Sequence, residues 1–227
     1  MKILIIAGHG DGDTGAVENE YRESDLTREV AKLLKPKLDG YADVTIADTK
    51  KNWYKHIIKN KNSFNFKQYD YVLEIHFNSY GLESANGVEI HITTHEKSSG
   101  VEENIVKGIS NIGFTNRGVK TTNYDLIWHI KKQGVSSALL EVCFISNKND
   151  MKLYQEKKNE IIKAIADGII KGFNLKPKDS LAEDCKLLAS AGIINSPDYW
   201  AKGGCYSDSN TVQLIKKFAS YVRGNMN

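Results

Sequence analysis

Hydrophobic and polar positions alternate with two different periods along the first three quarters of the chain. Ile3-Leu4-Ile5-Ile6-Ala7 is a continuous apolar run of strand length, as expected of a strand covered on both faces. A loop rich in Gly and Asp follows (residues 8–15). From about Ser24 the period becomes helical, with Leu26, Val30, Leu33/Leu34 and Leu38 on one face and an end near Gly40. Residues 41–47 predict a second strand and residues 52–60 a helix. Residues 69–77 predict a strand ending in Ile75-His76-Phe77-Asn78, and 87–93 alternates Val88, Ile90 and Ile92 as a half-buried strand does. A helix over 102–112, a buried strand over 137–144 and a long helix over 153–173 complete the series. Strands alternating with helices predict an α/β sheet with crossover connections.

The pattern breaks at Leu175-Lys176-Pro177-Lys178-Asp179-Ser180, a polar stretch holding one of only 3 prolines. Beyond it, Leu181, Leu187/Leu188, Ile193/Ile194, Trp200, Leu214/Ile215, Phe218 and Val222 fit two or three short helices, with Ser180 as an N-cap and Gly192 as a stop. Two domains are therefore expected, a main one over 1–175 and a small helical one over 180–227. At about 50 residues the second is near the lower limit for independent folding, so it should dock on the first domain or on a partner.

Composition narrows the class. With 41% hydrophobic and 26% charged residues over 227 positions, the chain can bury a sizeable core and does not read as disordered. No apolar run approaches the roughly 20 residues that cross a bilayer, so no membrane segment is expected. The formal charge of +3 is too small to imply nucleic acid, and no Lys/Arg block interleaved with aromatics occurs. It is compatible with an anionic polymer such as a bacterial wall. Cys143, Cys185 and Cys205 are odd in number and form no Cys-x-x-Cys pair, which argues against a disulfide framework or a cysteine-held zinc. The apolar part of the N-terminus is too short for a signal sequence and reads as the first strand. Synthesis in the cytoplasm without a secretory leader is expected.

The loop after the first strand contains Gly10-x-Gly12-x-x-Gly15, but Asp11 and Asp13 would put negative charge where a dinucleotide pyrophosphate must sit, and no helix opens at the glycines. A calcium loop fails too, because Ala16 and Arg22 occupy the glycine and glutamate positions it requires. His9 and His76 end two predicted strands, where open α/β sheets gather ligands. Alone, either reads as a structural histidine. With Glu23 at the first turn of a helix and Glu141 ending a third strand they make a more specific set. Two imidazoles and a carboxylate leave one tetrahedral position open, the composition of a catalytic zinc site. A further carboxylate outside the metal shell is what water activation needs.

Gly8-His9-Gly10 with Thr14-Gly15-Ala16, Glu23, Ile75-His76-Phe77-Asn78 and Leu139-Leu140-Glu141-Val142-Cys143-Phe144-Ile145-Ser146-Asn147 occur in one order. In this the chain resembles the type-3 family of zinc N-acetylmuramoyl-L-alanine amidases over roughly residues 1–173. The resemblance implies a twisted, mixed and mostly parallel sheet flanked by helices. It implies one zinc per chain held by His9, Glu23 and His76, with Glu141 as catalytic acid and base. Glu18, Glu20 and Asp25 compete with Glu23, which is preferred for its spacing before the helix. Glu74 departs from the small residue usual in the family. It shares a face with His76 and reads either as a partner orienting that imidazole or as a solvated carboxylate. His91 reads as a packing or exposed residue, and His56, His95 and His129 have no supporting partners. Tyr80, Tyr124 and Trp128 read either as groove-lining or as core aromatics, and Cys143 as an inert buried residue. Residues 192–200 resemble short helical modules appended to clostridial-type wall hydrolases and phage proteins.

The resemblance implies cleavage of the amide between N-acetylmuramic acid and L-alanine in peptidoglycan, with the wall as partner. The tail would serve wall targeting or self-association. Without a leader, a phage endolysin released by a partner pore or a lysis enzyme of a sporulating cell is expected. Two alternatives stand: a zinc carboxypeptidase or endopeptidase on the stem peptide, and a non-catalytic wall-binding protein.

Overall fold

A computed structural model describes residues 1–82, 84–96, 100–178, 181–201 and 209–224. The chain divides into two units, Met1–Lys176 and Pro177–Asn227. The strands of the first unit are β1 (Lys2–Ala7), β2 (Val17–Glu18), β3 (Tyr21–Arg22), β4 (Asp43–Ile46), β5 (Tyr71–Asn78), β6 (Val88–Ile92), β7 (Asn116–Thr121) and β8 (Ser136–Phe144). Its helices are α1 (Glu23–Leu38), α2 (Val101–Ser110), α3 (Asp125–Lys132) and α4 (Lys148–Gly172). β2 and β3 form a separate short antiparallel pair. The other six strands make one sheet in the order β4-β1-β5-β8-β6-β7. β4, β1, β5 and β8 run parallel, β6 pairs antiparallel to β8, and β7 runs parallel to β6. The sheet is thus mixed, mostly parallel and flanked by helices.

Strand alternation divides the side chains between two faces. Ile3, Ile5, Leu73, Ile75, Leu140 and Val142 point to the face covered by α1 and α4, where Val30, Leu34, Ile161 and Ile165 meet them. Leu4, Ile6 and Val72 point the other way, under Trp53, Ile57, Phe66 and the α3 residues Leu126 and Ile130. Farther along this second face, toward the carboxyl ends of β5 and β8, the alternation that buries Val72 brings up Glu74 and His76. On β8 it brings up Glu141 after Leu139. The apolar pattern therefore stops where the chemistry begins.

The short pair β2 and β3 was not legible in the pattern, and neither were β7 and α3. β7 (NRGVKT) has no buried residue and sits at the sheet edge, so nothing forces apolar alternation on it. α3 is only eight residues long. α4 begins at Lys148, ahead of the expected 153, because the Asn147 side chain accepts from the backbone N–H groups of Asn149 and Asp150. The expected helix over 52–60 contains a π-helical turn, Lys55–Lys59.

Helices α2 and α4 approach closely through small residues. A Cβ at Gly168 would lie 2.8 Å from the Ile105 backbone nitrogen, and one at Gly172 would lie 2.5 Å from the Val101 Cα. In an exposed helix, Gly→Ala stabilises by about 1 kcal/mol. Here the sign should reverse, because the obstacle is backbone and cannot rotate away. Gly168→Ala is expected to destabilise by about 1–3 kcal/mol, read as a lower midpoint of thermal unfolding. A midpoint that rose would show that the helices can separate at no cost.

The second unit consists of α5 (Leu181–Ser190), α6 (Pro197–Ala201) and α7 (Ser209–Gly224). Its core is Cys185, Leu188, Ile215 and Ala219. Arg223 Nη2 donates to the buried Asp184 Oδ1 at 2.9 Å. Gly192 adopts φ 72° two residues after α5 ends, as a helix stop does. Ser180 and Cys205 lie outside the described residues. Among the described residues, no helix is long and apolar enough to cross a membrane.

Candidate metal centre and active site

His9 lies two residues past the end of β1, in the left-handed region at φ 64°. A non-glycine residue is costly there and persists only where its surroundings over-determine it. Here α1 supplies the restraint. Arg28 donates from Nη1 to the Gly8 carbonyl (2.8 Å) and from Nη2 to the His9 carbonyl (3.0 Å), and Thr27 Oγ1 donates to the same Gly8 carbonyl (3.0 Å). Sequence reasoning missed Arg28, since an arginine on a helix gives no sign of its target. Two glycines clear space around the ring. A Cβ at Gly8 would come within 2.4 Å of the His76 ring, and one at Gly15 within 2.6 Å of Glu23 Oε2.

Glu23 opens α1 and is buried between the two histidines. Its Oε2 lies 2.9 Å from His9 Nε2, and its Oε1 lies 2.9 Å from His76 Nδ1. The backbone N–H groups of Ala16 and Phe77 also donate to these oxygens. His9, Glu23 and His76 form a group whose ligand atoms all lie within 4.8 Å of one another. Glu18, Glu20 and Asp25, the competitors for the carboxylate role, are exposed. Among the described residues, His56, His91, His95 and His129 belong to no such group.

Each imidazole turns its other nitrogen to a second carboxylate. His9 Nδ1 lies 2.9 Å from Asp13 Oδ2, which also accepts from Asn52 Nδ2, while Asp13 Oδ1 accepts from the Gly15 N–H. His76 Nε2 lies 3.1 Å from Glu74 Oε1. Glu74 is only 4% exposed, so of its two readings the solvated carboxylate does not hold. Asp13 had counted in the sequence only as a charge hostile to nucleotides. Carboxylates in these positions fix the tautomer and orientation of ligating imidazoles.

The electrostatics favour positive charge at the centre of the group. Burial alone would lower the proton affinity of His9 and His76, yet bonds to Glu23, Asp13 and Glu74 raise both above the ordinary histidine value. Burial would raise Glu23, but the two imidazoles hold its carboxyl well below the usual range. A site that draws protons onto two imidazoles around one carboxylate suits a divalent cation equally well. The donor set, two nitrogens and one carboxylate, fits zinc.

Glu141 stands beside this group and outside it. In the β5–β8 pairing it lies directly opposite His76. Its Oε2 is buried with no hydrogen-bond partner among the described residues. Burial pushes its carboxyl up to about 7, with Glu23, Glu89 and Glu74 adding to the rise and His76 opposing it. On its other side Glu141 faces Glu89 of β6. Glu89 accepts from Arg117 Nε, Lys120 Nζ and Asn78 Nδ2. Burial would raise Glu89, but Lys120 and Arg117 bring it down to about 2. His91 is buried within this network, between Glu89 and Thr122, in keeping with its expected packing role. Cys143 is buried and free. Tyr80 and Tyr124 are exposed, whereas Trp128 is half-buried against His95.

Comparison with known proteins places this arrangement. The chain is 29% identical over 174 residues to the N-acetylmuramoyl-L-alanine amidase LytC of Bacillus subtilis, covering 74% of this chain and 34% of that one. It is 30% identical over 185 residues to the amidase CwlM of Bacillus licheniformis, covering 77% and 70%. It therefore spans about a third of the length of the first relative. The catalytic domain of CwlV, an N-acetylmuramoyl-L-alanine amidase from Bacillus (Paenibacillus) polymyxa, has the same fold, with a TM-score of 0.63 at 24% identity and coverage of 77% and 99%. The family model described as N-acetylmuramoyl-L-alanine amidase matches residues 3–171, a span that holds all four residues of the centre. On that match the chain belongs to the N-acetylmuramoyl-L-alanine amidase family.

Proposed function

We propose that the chain is a zinc-dependent peptidoglycan hydrolase that cleaves the amide between N-acetylmuramic acid and L-alanine. The observation that carries the reading is a buried, unpartnered Glu141 oxygen next to a three-residue donor set of zinc type. His9, Glu23 and His76 would hold the metal. Bound there, zinc supplies Lewis acidity, polarising a carbonyl and lowering the pKa of water toward about 7.

The chain's own groups account for the rest. Asp13 and Glu74 keep the two imidazoles turned inward. Glu141 Oε2 takes a proton from the attacking water as its oxygen bonds to the lactyl carbonyl carbon. The same oxygen gives that proton to the alanine nitrogen as the C–N bond breaks. A carboxyl whose affinity for the proton lies near neutrality can do both. Glu89, ionised between its two cations, adds to the rise that burial gives Glu141. Relatives of this chain include an endolysin of Bacillus phage SPP1 and a sporulation-specific amidase of Bacillus subtilis. They support a lytic setting, with the chain acting on the wall.

The test is product analysis on purified peptidoglycan. Digestion should create free L-alanine amino termini on stem peptides of unchanged length. A chelator should abolish it and added zinc restore it. Shortened peptides without new alanine termini would overturn the amidase reading in favour of a stem-peptide hydrolase.

A further inference from the structure

The expectation that no lysine block lies among aromatics does not hold at residues 49–69. They contain six lysines and no aspartate or glutamate, with Trp53, Tyr54, Phe64, Phe66 and Tyr69 among them. Of the chain's 31 basic residues, 25 then remain against 28 acids, so the rest of the chain is net negative and the positive charge is concentrated here. Lys55 pairs with Asp11 and Lys51 approaches Asp48, but Lys59, Lys61 and Lys67 form no ion pair among the described residues. The backbone is unusual as well. Lys55–Lys59 is a π-helical turn, a rare feature that recurs at functional sites, and Lys61 is held in the left-handed region at φ 56°.

Next to this turn lies a cavity of about 530 Å³, lined by Lys61 and, from the end of α3, by His129 and Lys132. Asn62, Ser63 and Gln133 add polar groups, and no carboxylate lines it. Gln133 ties the basic segment to α3, since its Nε2 donates to the Phe64 carbonyl (3.1 Å) and its Oε1 accepts from the Phe66 N–H (3.0 Å). Lys132 Nζ stands 6.0 Å from the Trp128 ring centre and Lys59 Nζ 5.4 Å from that of Tyr54. Such ring faces hold an ammonium in place without cancelling its charge. Lysine binds phosphate as a point charge, and two lysines over neutral donors are a suitable set for one.

Three kinds of polyanion present phosphodiesters. A single-stranded nucleic acid needs exposed rings on which its bases stack, but Trp53 and Phe66 are buried and Phe64 packs against both. Stable membrane anchoring takes an apolar insertion besides basic charge, and none of the large exposed hydrophobic residues lies within 49–69. A phosphodiester chain read through charge alone fits the surface. The same segment also walls the cavity beside His9 and His76, through Asn52, Trp53 and Tyr54. We propose that Lys61, Lys132 and the lysines beside them bind the phosphodiester chain of an anionic wall polymer and so hold the active site against the wall. The choice of a wall polymer rests on the peptidoglycan reading above.

The test uses the full chain with poly(glycerol phosphate) as the probe, and affinity is measured by calorimetry over a range of salt concentrations. Lys61→Asn with Lys132→Gln removes two charges at the cavity, and asparagine tolerates the left-handed backbone at position 61. Lys152→Gln with Lys163→Gln removes two from α4, where those side chains are 75% and 70% exposed. The cavity pair should weaken polymer binding about ten-fold or more and make the slope of log K against log salt shallower by about 1–2. Lys132→Gln alone, on an exposed helix end, should already weaken it about three-fold. The α4 pair should change affinity by about two-fold at most, and the thermal midpoint should hold in every variant. Equal weakening by the two pairs would reduce the effect to net charge and overturn the site, as would unchanged affinity in the cavity pair. Tighter binding of the unaltered chain to phosphatidylglycerol vesicles or to single-stranded DNA than to the polymer would overturn the assigned partner. Failure of the peptidoglycan reading is a separate result, seen as the absence of new alanine termini with the unaltered enzyme.

Discussion

Glu141→Gln should retain zinc and fold while losing about 10²–10⁴-fold in the rate of wall hydrolysis. Glutamine is nearly the same size and shape, so the closely packed end of β8 need not move. One oxygen of the carboxyl it replaces is buried with no hydrogen-bond partner among the described residues, so no bond is lost at that atom. What disappears is the ability to accept a proton near neutral pH. Zinc content by elemental analysis, the thermal midpoint and the release of alanine termini should be measured on one preparation. Loss of zinc would make Glu141 a ligand. Full activity would mean that another base serves, and the proton transfers assigned to Glu141 would be wrong.

The legible parts of this protein are those where burial dictates residue type. The Ile3–Ala7 run had to be a covered strand, and His9 could be placed because it follows that strand. His76 and Glu141 were expected to end theirs, whereas β5 continues to Asn78 and β8 to Phe144, so both lie in the carboxyl-terminal half of a strand. Glu23 could be singled out among four acids only by its distance from the α1 pattern. The structure adds the reason that distance matters, which is that the first residue of α1 is the one held between both rings. What the sequence hid, outside the four residues of the centre, was the set of interactions that polar side chains make across the chain. Asp13 on His9, Arg28 on the strained turn and Glu89 on its two cations leave no periodic trace. β7 was hidden for a related reason. As an exposed edge strand it carries Arg117 and Lys120 into the Glu89 network with no apolar alternation to mark it.

The ligand assignment predicts a graded series in metal affinity. His9→Ala and His76→Ala each remove one of three protein donors, so both should lose zinc and activity together. Glu23→Gln should do the same, because the amide is a far poorer ligand and cannot balance the charge between the rings. Asp13→Asn leaves all three donors in place and alters only the partner of His9 Nδ1. It should lower zinc affinity by about 10–100-fold, with activity recovering as zinc is raised. The direct His9 variant should show no such recovery at the same zinc concentrations. Because metal binds the folded chain, removing it should also lower the thermal midpoint of the unaltered protein and of Asp13→Asn, by an amount that grows with ligand concentration over Kd. The midpoint of His9→Ala should not respond to chelator. A zinc-dependent midpoint in His9→Ala equal to that of the unaltered chain would show that the metal is held by other residues, and the centre described here would not be the one that binds it.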